Sequence, residues 1–143
     1  MRVDVILRHK GNDVLSISPE RTVQEAADLL AKHKIGALLV REKGGTIQGV
    51  ISERDIVRGF AVNKGKVLSK SVADLMTSPV VTCSPLDTLD AIMDVMTNKR
   101  VRHIPVMEDG ELKGIVTIGD VVKHRMSEIE TESDALRQYI SAG

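Results

Sequence analysis

The sequence predicts a mixed α/β (α+β) protein built from two β-α-β-β-α repeats, packed through their sheets with pseudo-twofold symmetry. Three observations lead there. The chain matches itself at a nearly constant offset. Both copies alternate strand-like and helix-like apolar patterns in one order. One copy alone is marginal, because a unit of about sixty residues buries only about 60% of the surface its unfolded chain exposes.

The internal match begins at Ser18-Pro19, which falls on Ser84-Pro85. At the same offset Thr22-Val23 falls on Thr88-Leu89, and Ile35-Gly36-Ala37-Leu38-Leu39-Val40 on Val101-Arg102-His103-Ile104-Pro105-Val106. One residue is lost in the next turn. Gly49-Val50-Ile51-Ser52 then lies on Gly114-Ile115-Val116-Thr117, and Asp55-Ile56-Val57 on Asp120-Val121-Val122. A fixed period of this kind marks a duplicated structural unit.

Each element has its own signal. The β-branched runs 14–17 and 80–83 read as short strands before a Ser-Pro break. Thr22 with Glu25 forms a capping-box pattern that opens a helix. Val23, Ala26, Ala27 and Leu30 then recur on one helical face, as Leu89, Ile92, Met93 and Met96 do in the second copy. Two strands follow in each copy. Asp109-Gly110 is a strong hairpin signal, and Gly44-Gly45 serves in the first copy. The last helix of each copy opens near Glu53 or Gly119. Segment 61–75, with Asn63, Lys64, Gly65 and Lys66, reads as a linker. Residues from about 127 to Gly143 read as a polar tail, in which Ile129, Leu136, Tyr139 and Ile140 make one helical stripe for docking. The expected domains are 8–68 and 74–132, with a helical tail over 133–143.

Composition narrows the function. Hydrophobic residues are 42% of the chain, enough for a core, but with no Trp, one Phe and one Tyr that core is aliphatic. The 20 basic and 20 acidic residues cancel. Neither an electrostatic footprint for nucleic acid nor an aromatic platform for stacked bases is present, although Lys99-Arg100-Val101-Arg102-His103 is a local basic patch. Cys83 is the only cysteine, so no intramolecular disulfide forms. Charges interrupt any secretory core near the N-terminus, and no apolar run approaches a membrane span, so the expected location is cytoplasmic. His9, His33, His103 and His124 lack metal-ligand spacing, and no metal site is expected. Cys83 reads as a buried strand cysteine rather than a nucleophile. No base–nucleophile pair is present, so no catalytic residues are expected and the chain is not read as an enzyme.

Chemistry concentrates where the second strand of each hairpin ends and a helix begins. At Thr117-Ile118-Gly119-Asp120 the helix start offers free N–H groups and a positive dipole end. A carboxylate there repels phosphate but accepts two hydrogen bonds from a vicinal diol such as a ribose offers, as acidic residues do in dinucleotide folds. Ser52 and Asp55 are set out identically. The competing reading is a plain helix cap, which the same Ser/Thr-x-x-Asp spacing produces. In Arg100-Val101-Arg102-His103-Ile104-Pro105 an inward Ile104 turns His103 and Pro105 the other way. Pro105 marks an interrupted or edge strand. Cations beside such an edge suit a phosphate, or are simply solvated. Arg54 carries the same two readings.

Taken together, these motifs resemble tandem CBS domains, the cystathionine-β-synthase motif pair also called a Bateman module. The segments that carry the resemblance are 76–82, 101–106 and 114–122, with 35–40 and 49–57 in the first copy. The resemblance implies an adenosyl ligand, AMP first, with ATP, ADP, NAD(H) or S-adenosylmethionine as alternatives, held in clefts shared between the copies. It implies that Ser52 with Asp55, and Thr117 with Asp120, hold ribose. Ile35 and Gly36, and Val101 and Arg102, flank adenine on the middle strands. Ala37, Ile104, Pro105, Ile118 and Gly119 complete the expected nucleotide-binding set. Thr77, Pro79 and Val80 line a cleft, and Arg54, Arg102 and His103 meet phosphate. Because Gly36-Ala37 and Leu39 stand where the second copy has Arg102-His103 and Pro105, the two clefts are expected to be unequal. The resemblance also implies a homodimer and, with no effector domain in view, a separate regulated protein partner. The expected function is a non-catalytic energy or redox sensor, with a dimeric interaction scaffold as the alternative.

Overall fold

The computed structural model describes residues 1–142; residue 143, the last of the expected tail, lies outside the described residues. The order is α1 (Val3–Lys10), β1 (Ser16–Ile17), α2 (Val23–His33), β2 (Ala37–Val40), β3 (Gly49–Ser52), α3 (Glu53–Asn63), a 3₁₀ turn (Lys64–Ser69), α4 (Val72–Leu75), α5 (Leu89–Lys99), β4 (His103–Glu108), β5 (Glu111–Thr117) and α6 (Ile118–Ala142). The fold is therefore mixed α/β, with two repeats. The described residues divide into one compact unit of residues 13–81 and another formed by residues 1–12 together with 82–142.

In the unit of residues 13–81, β1 pairs parallel with β2, and β2 antiparallel with β3. Thr22 caps α2 by accepting from the Glu25 N–H. The capping box expected there is only half made, because the Glu25 carboxylate is taken by Arg21 one turn away. Val23, Ala26 and Leu30 are buried as the helical period requires. The core joins Ala26 and Leu30 to Ile17, Leu38, Val40, Ile51 and Val72. Segment 61–75, expected as a linker, is mostly packed structure. Val67 and Val72 are fully buried, and Ser71 and Asp74 close a complete capping box on α4.

The other unit has a matching plan. β4 and β5 pair antiparallel around Asp109 (φ 52°) and Gly110 (φ 78°), the two left-handed residues a tight hairpin needs. The strand expected over 80–83 shrinks to one parallel bridge, between Cys83 and Val106. The Cys83 N–H donates to the Pro105 carbonyl at 3.0 Å. Pro105 thus turns its carbonyl away from β5, and its missing N–H costs the hairpin nothing. Leu89, Ile92 and Met96 of α5 pack with Ile104, Val106, Val116 and Val121.

Helix α1 was not expected. Val3, Ile6 and Leu7, spaced i, i+3, i+4, complete the core of the second repeat. The Val3 and Asp4 N–H groups donate to the carbonyls of Asp87 and Pro85, both at 2.9 Å. In the first repeat, the Val72 and Ala73 N–H groups donate to the carbonyls of Arg21 and Pro19 at 2.8 and 3.0 Å. The bridges Arg2 to Thr88 and Ser71 to Thr22 match in the same way. Segments 1–12 and 70–81 are thus equivalent, and each packs on the repeat that does not directly follow it in sequence.

Candidate functional site

The two expected carboxylates sit at equivalent places. In the first repeat the register sets Ala37 opposite Ser52, and the Glu53 N–H donates to the Gly36 carbonyl at 3.0 Å. This ties the start of α3 to the end of β2. Asp55, only 9% exposed, turns back into the cap. Its Oδ2 accepts from the Ser52 N–H at 2.8 Å and the Ser52 hydroxyl at 3.0 Å, and its Oδ1 accepts from the Thr77 hydroxyl at 3.0 Å. The cap reading of this motif is therefore met in full. The carboxylate has about four acceptor positions, and two of its three present donors are hydroxyls that rotate freely.

In the second repeat the register sets His103 opposite Thr117, and the Ile118 N–H donates to the Arg102 carbonyl at 2.9 Å. The Asp120 Oδ2 accepts from the Thr117 N–H at 2.9 Å, and the Asp120 N–H donates to the Thr117 hydroxyl at 3.2 Å. The difference lies in what approaches from the exchanged segment. Here Lys10 places its ammonium 2.7 Å from Asp120 Oδ2 and also donates to the Ile115 carbonyl at 3.0 Å. Partial burial pushes the Asp120 carboxyl up. The hydrogen bonds from Lys10 and Thr117 and the Lys10 charge outweigh it, and hold the group below its ordinary value.

Of the expected residues, Ser52, Asp55 and Thr77 meet through side chains, with Gly36 and Ala37 beside them. Ile35 and Val80 are half-buried, whereas Arg54 and Pro79 are exposed. Arg102, His103, Thr117, Ile118, Gly119 and Asp120 gather at one strand end, where Arg102, Ile118 and Gly119 are exposed and His103 is half-buried. A Cβ on Gly119 would meet only the Thr117 hydroxyl, at 3.6 Å, so this turn is open. Ile104 and Pro105 are buried. Val101 packs against the core of its unit.

Lys10 was missed. A signal for it exists in the sequence. Val3, Ile6 and Leu7 match Val72, Leu75 and Met76 in spacing, and that alignment sets Lys10 at the place of Pro79, an expected site residue. Among the described residues no cluster of three or more His, Cys, Asp or Glu could hold a metal ion, and no helix is long and apolar enough to cross a membrane. An open depression of about 540 Å³ between Asp4, Arg8, Pro85 and Lys113 contains none of the expected site residues.

A family model for the CBS domain matches residues 4–62 and again 72–127. The mitochondrial CBS domain-containing protein CBSX3 of Arabidopsis thaliana is 34% identical, over 96% of this chain and 71% of its own length. The crystal structure of the CBS-domain containing protein ATU1752 from Agrobacterium tumefaciens superposes with a TM-score of 0.85. It is 44% identical and covers 87% of this chain and 92% of that one. The CBS domain pair of protein MJ0100, solved in complex with 5-methylthioadenosine and S-adenosyl-L-methionine, gives a TM-score of 0.78 at 26% identity. It covers 90% of this chain and 98% of that one.

Proposed function

The chain belongs to the CBS-domain family, and from that premise we propose that it binds an adenine nucleotide through Asp55 and Asp120 and acts as a non-catalytic regulator. The observation that carries this reading is the pair of strand-end carboxylates, each fixed by a Ser or Thr cap and each met by a movable donor. A ribose diol supplies two hydroxyl donors to one carboxylate. At Asp55 it takes over from the Thr77 and Ser52 hydroxyls, which rotate away at little cost. At Asp120 it competes with an ammonium, and a charge-assisted hydrogen bond is about twice as strong as a neutral one. A bare nucleoside displaces Lys10 poorly. A nucleoside phosphate offers the freed ammonium a new anion, with Arg102 and His103 at the same strand end. The second repeat then favours AMP, ADP, ATP or NAD(H) over adenosine, and the first repeat discriminates less. The adenosyl ligands of the MJ0100 pair support the ligand class. Regulation requires a ligand that binds two states of the protein unequally, and the shift cannot exceed that difference.

Thermal unfolding with AMP, ATP, NADH and S-adenosylmethionine tests the proposal. A ligand at a hundredfold excess over its Kd adds about 2.7 kcal/mol, which is several degrees for a chain of this size. Asp55→Ala and Asp120→Ala should each remove one of two binding events seen by calorimetry. Lys10→Met should narrow the preference for AMP over adenosine. No stabilisation by any of these ligands at millimolar concentration would refute the reading.

A further inference from the structure

Two histidines far apart in the sequence meet in the fold. His9 lies in the last turn of α1 and His124 near the start of α6. Their ring centroids are 5.8 Å apart, with the planes tilted by 38°. His9 is exposed and His124 half-buried, so ions in solution reach the pair. Among the described residues no hydrogen bond or ion pair engages either ring. Two neutral imidazoles there offer one acceptor nitrogen each.

The contact is framed on both sides. Lys10, next to His9, places its ammonium 2.7 Å from Asp120, one turn before His124. The Met1 amine lies 3.6 Å from Glu128, one turn after it. Helices α1 and α6 are thus clamped together at this point, and a ligand finds the two rings already paired. The frame is close to neutral, because each of these cations faces a carboxylate. Arg125 is engaged as well, by Glu128 at 3.1 Å and Asp90 at 3.5 Å. A divalent cation is therefore not repelled by its surroundings.

We propose that His9 and His124 bind one late first-row divalent transition metal ion, Zn²⁺, Ni²⁺ or Cu²⁺, and that the ion staples α1 to the second repeat. Imidazole nitrogen suits these ions, whereas Mg²⁺ and Ca²⁺ take oxygen ligands. A tetrahedral ion about 2.0–2.1 Å from each nitrogen sets the ring centroids roughly 5 Å apart, so the rings need approach by less than about 1 Å. The chain supplies two ligands and solvent the others, which makes the site open and exchangeable, unlike a closed structural one. Val3, Ile6 and Leu7 of α1 belong to the core of the second repeat. An ion that binds only while α1 is docked stabilises that repeat by mass action. The inference does not depend on nucleotide binding.

The test uses the full chain, without an affinity tag and stripped of metal by a chelator. Calorimetry with ZnCl₂ should show one ion bound per chain. The melting temperature should rise by several degrees at about a hundredfold excess over Kd, and MgCl₂ should change neither reading. His9→Asn alone and His124→Asn alone should each abolish both effects, while His33→Asn leaves them intact. Unchanged melting of each variant without metal shows that it folds. A second measurement needs no variant. In the wild-type chain, substoichiometric Cu²⁺ should broaden the ring-proton magnetic resonance signals of His9 and His124 together, before those of His33 and His103. No Zn²⁺ binding at millimolar concentration, binding that survives either single change, or broadening that begins at His33 or His103 would overturn the proposal.

Discussion

At Asp120 burial and charge oppose each other, and charge wins. Burial raises the carboxyl, while the bonds from Lys10 and Thr117 and the Lys10 charge carry it below the ordinary 3.8. A carboxylate whose folded value lies below its unfolded one, about 3.9, contributes stability that is complete above that unfolded value and disappears as pH falls through the folded one. Lys10→Met should therefore cost on the order of 1 kcal/mol at neutral pH. It should also shrink the stability lost between about pH 6 and about pH 3. Urea midpoints at the two pH values measure this, and equal acid losses in both proteins would show that Lys10 does not hold the carboxylate down. Cys83 has the opposite sign. Burial, with the Asp87 charge adding to it, pushes the thiol up to about 12, so at neutral pH the reactive thiolate is scarce. A thiol reagent should label native protein far more slowly than protein in denaturant. Equal rates would mean that the thiol is not shielded.

Among the elements, α1 is held by a close approach that only glycine permits. A Cβ at Gly114 would stand 2.7 Å from Cδ2 of Leu7, a core side chain with little room to move. Gly114→Ala should destabilise by about 1–3 kcal/mol, as overpacking generally does. Adding Leu7→Ala should cost less than the sum of the two single changes, because the clash disappears with the side chain. Strict additivity in denaturant titrations would place α1 elsewhere. Gly49 is the equivalent residue, closed by Met76 and by the Thr77 carbonyl at 2.9 Å. The same elements show what was legible in the sequence. Helices α2 and α5 and the Asp109-Gly110 turn were readable because period, cap and turn chemistry are local. The run 80–83 has strand composition, but it has only one bridge to join, and composition cannot supply a partner. Helices α1 and α4 span eight and four residues, too short for periodicity to stand out among interleaved charges. With them went Lys10. Asp55 and Asp120 were legible as carboxylates at strand ends, but the donor meeting each one comes from the exchanged segment, which no local pattern reveals.

At the scale of the whole molecule, the exchange of segments makes the N-terminus a structural part of the second repeat. Val3, Ile6 and Leu7 share one core with Leu89, Ile92, Ile104 and Val116, while the core of residues 13–81 draws nothing from them. Burying one such aliphatic side chain contributes about 1.5–3 kcal/mol. Removing three at once takes away much of what holds a marginal unit of this size together. Deleting residues 2–11 should therefore act unevenly along the chain. Hydrogen exchange read by mass spectrometry should show amides of α5, β4 and β5 opening early, while β2, β3 and α2 keep most of their protection. The Leu89 N–H should be among the first to exchange, because its acceptor is the Met1 carbonyl at 2.9 Å. In the opposite experiment, Val67→Ala and Val72→Ala should open residues 13–81 first and leave the second repeat protected. If both alterations opened both regions together, the two repeats would unfold as one cooperative body. The private cores would then be a feature of packing and not of stability.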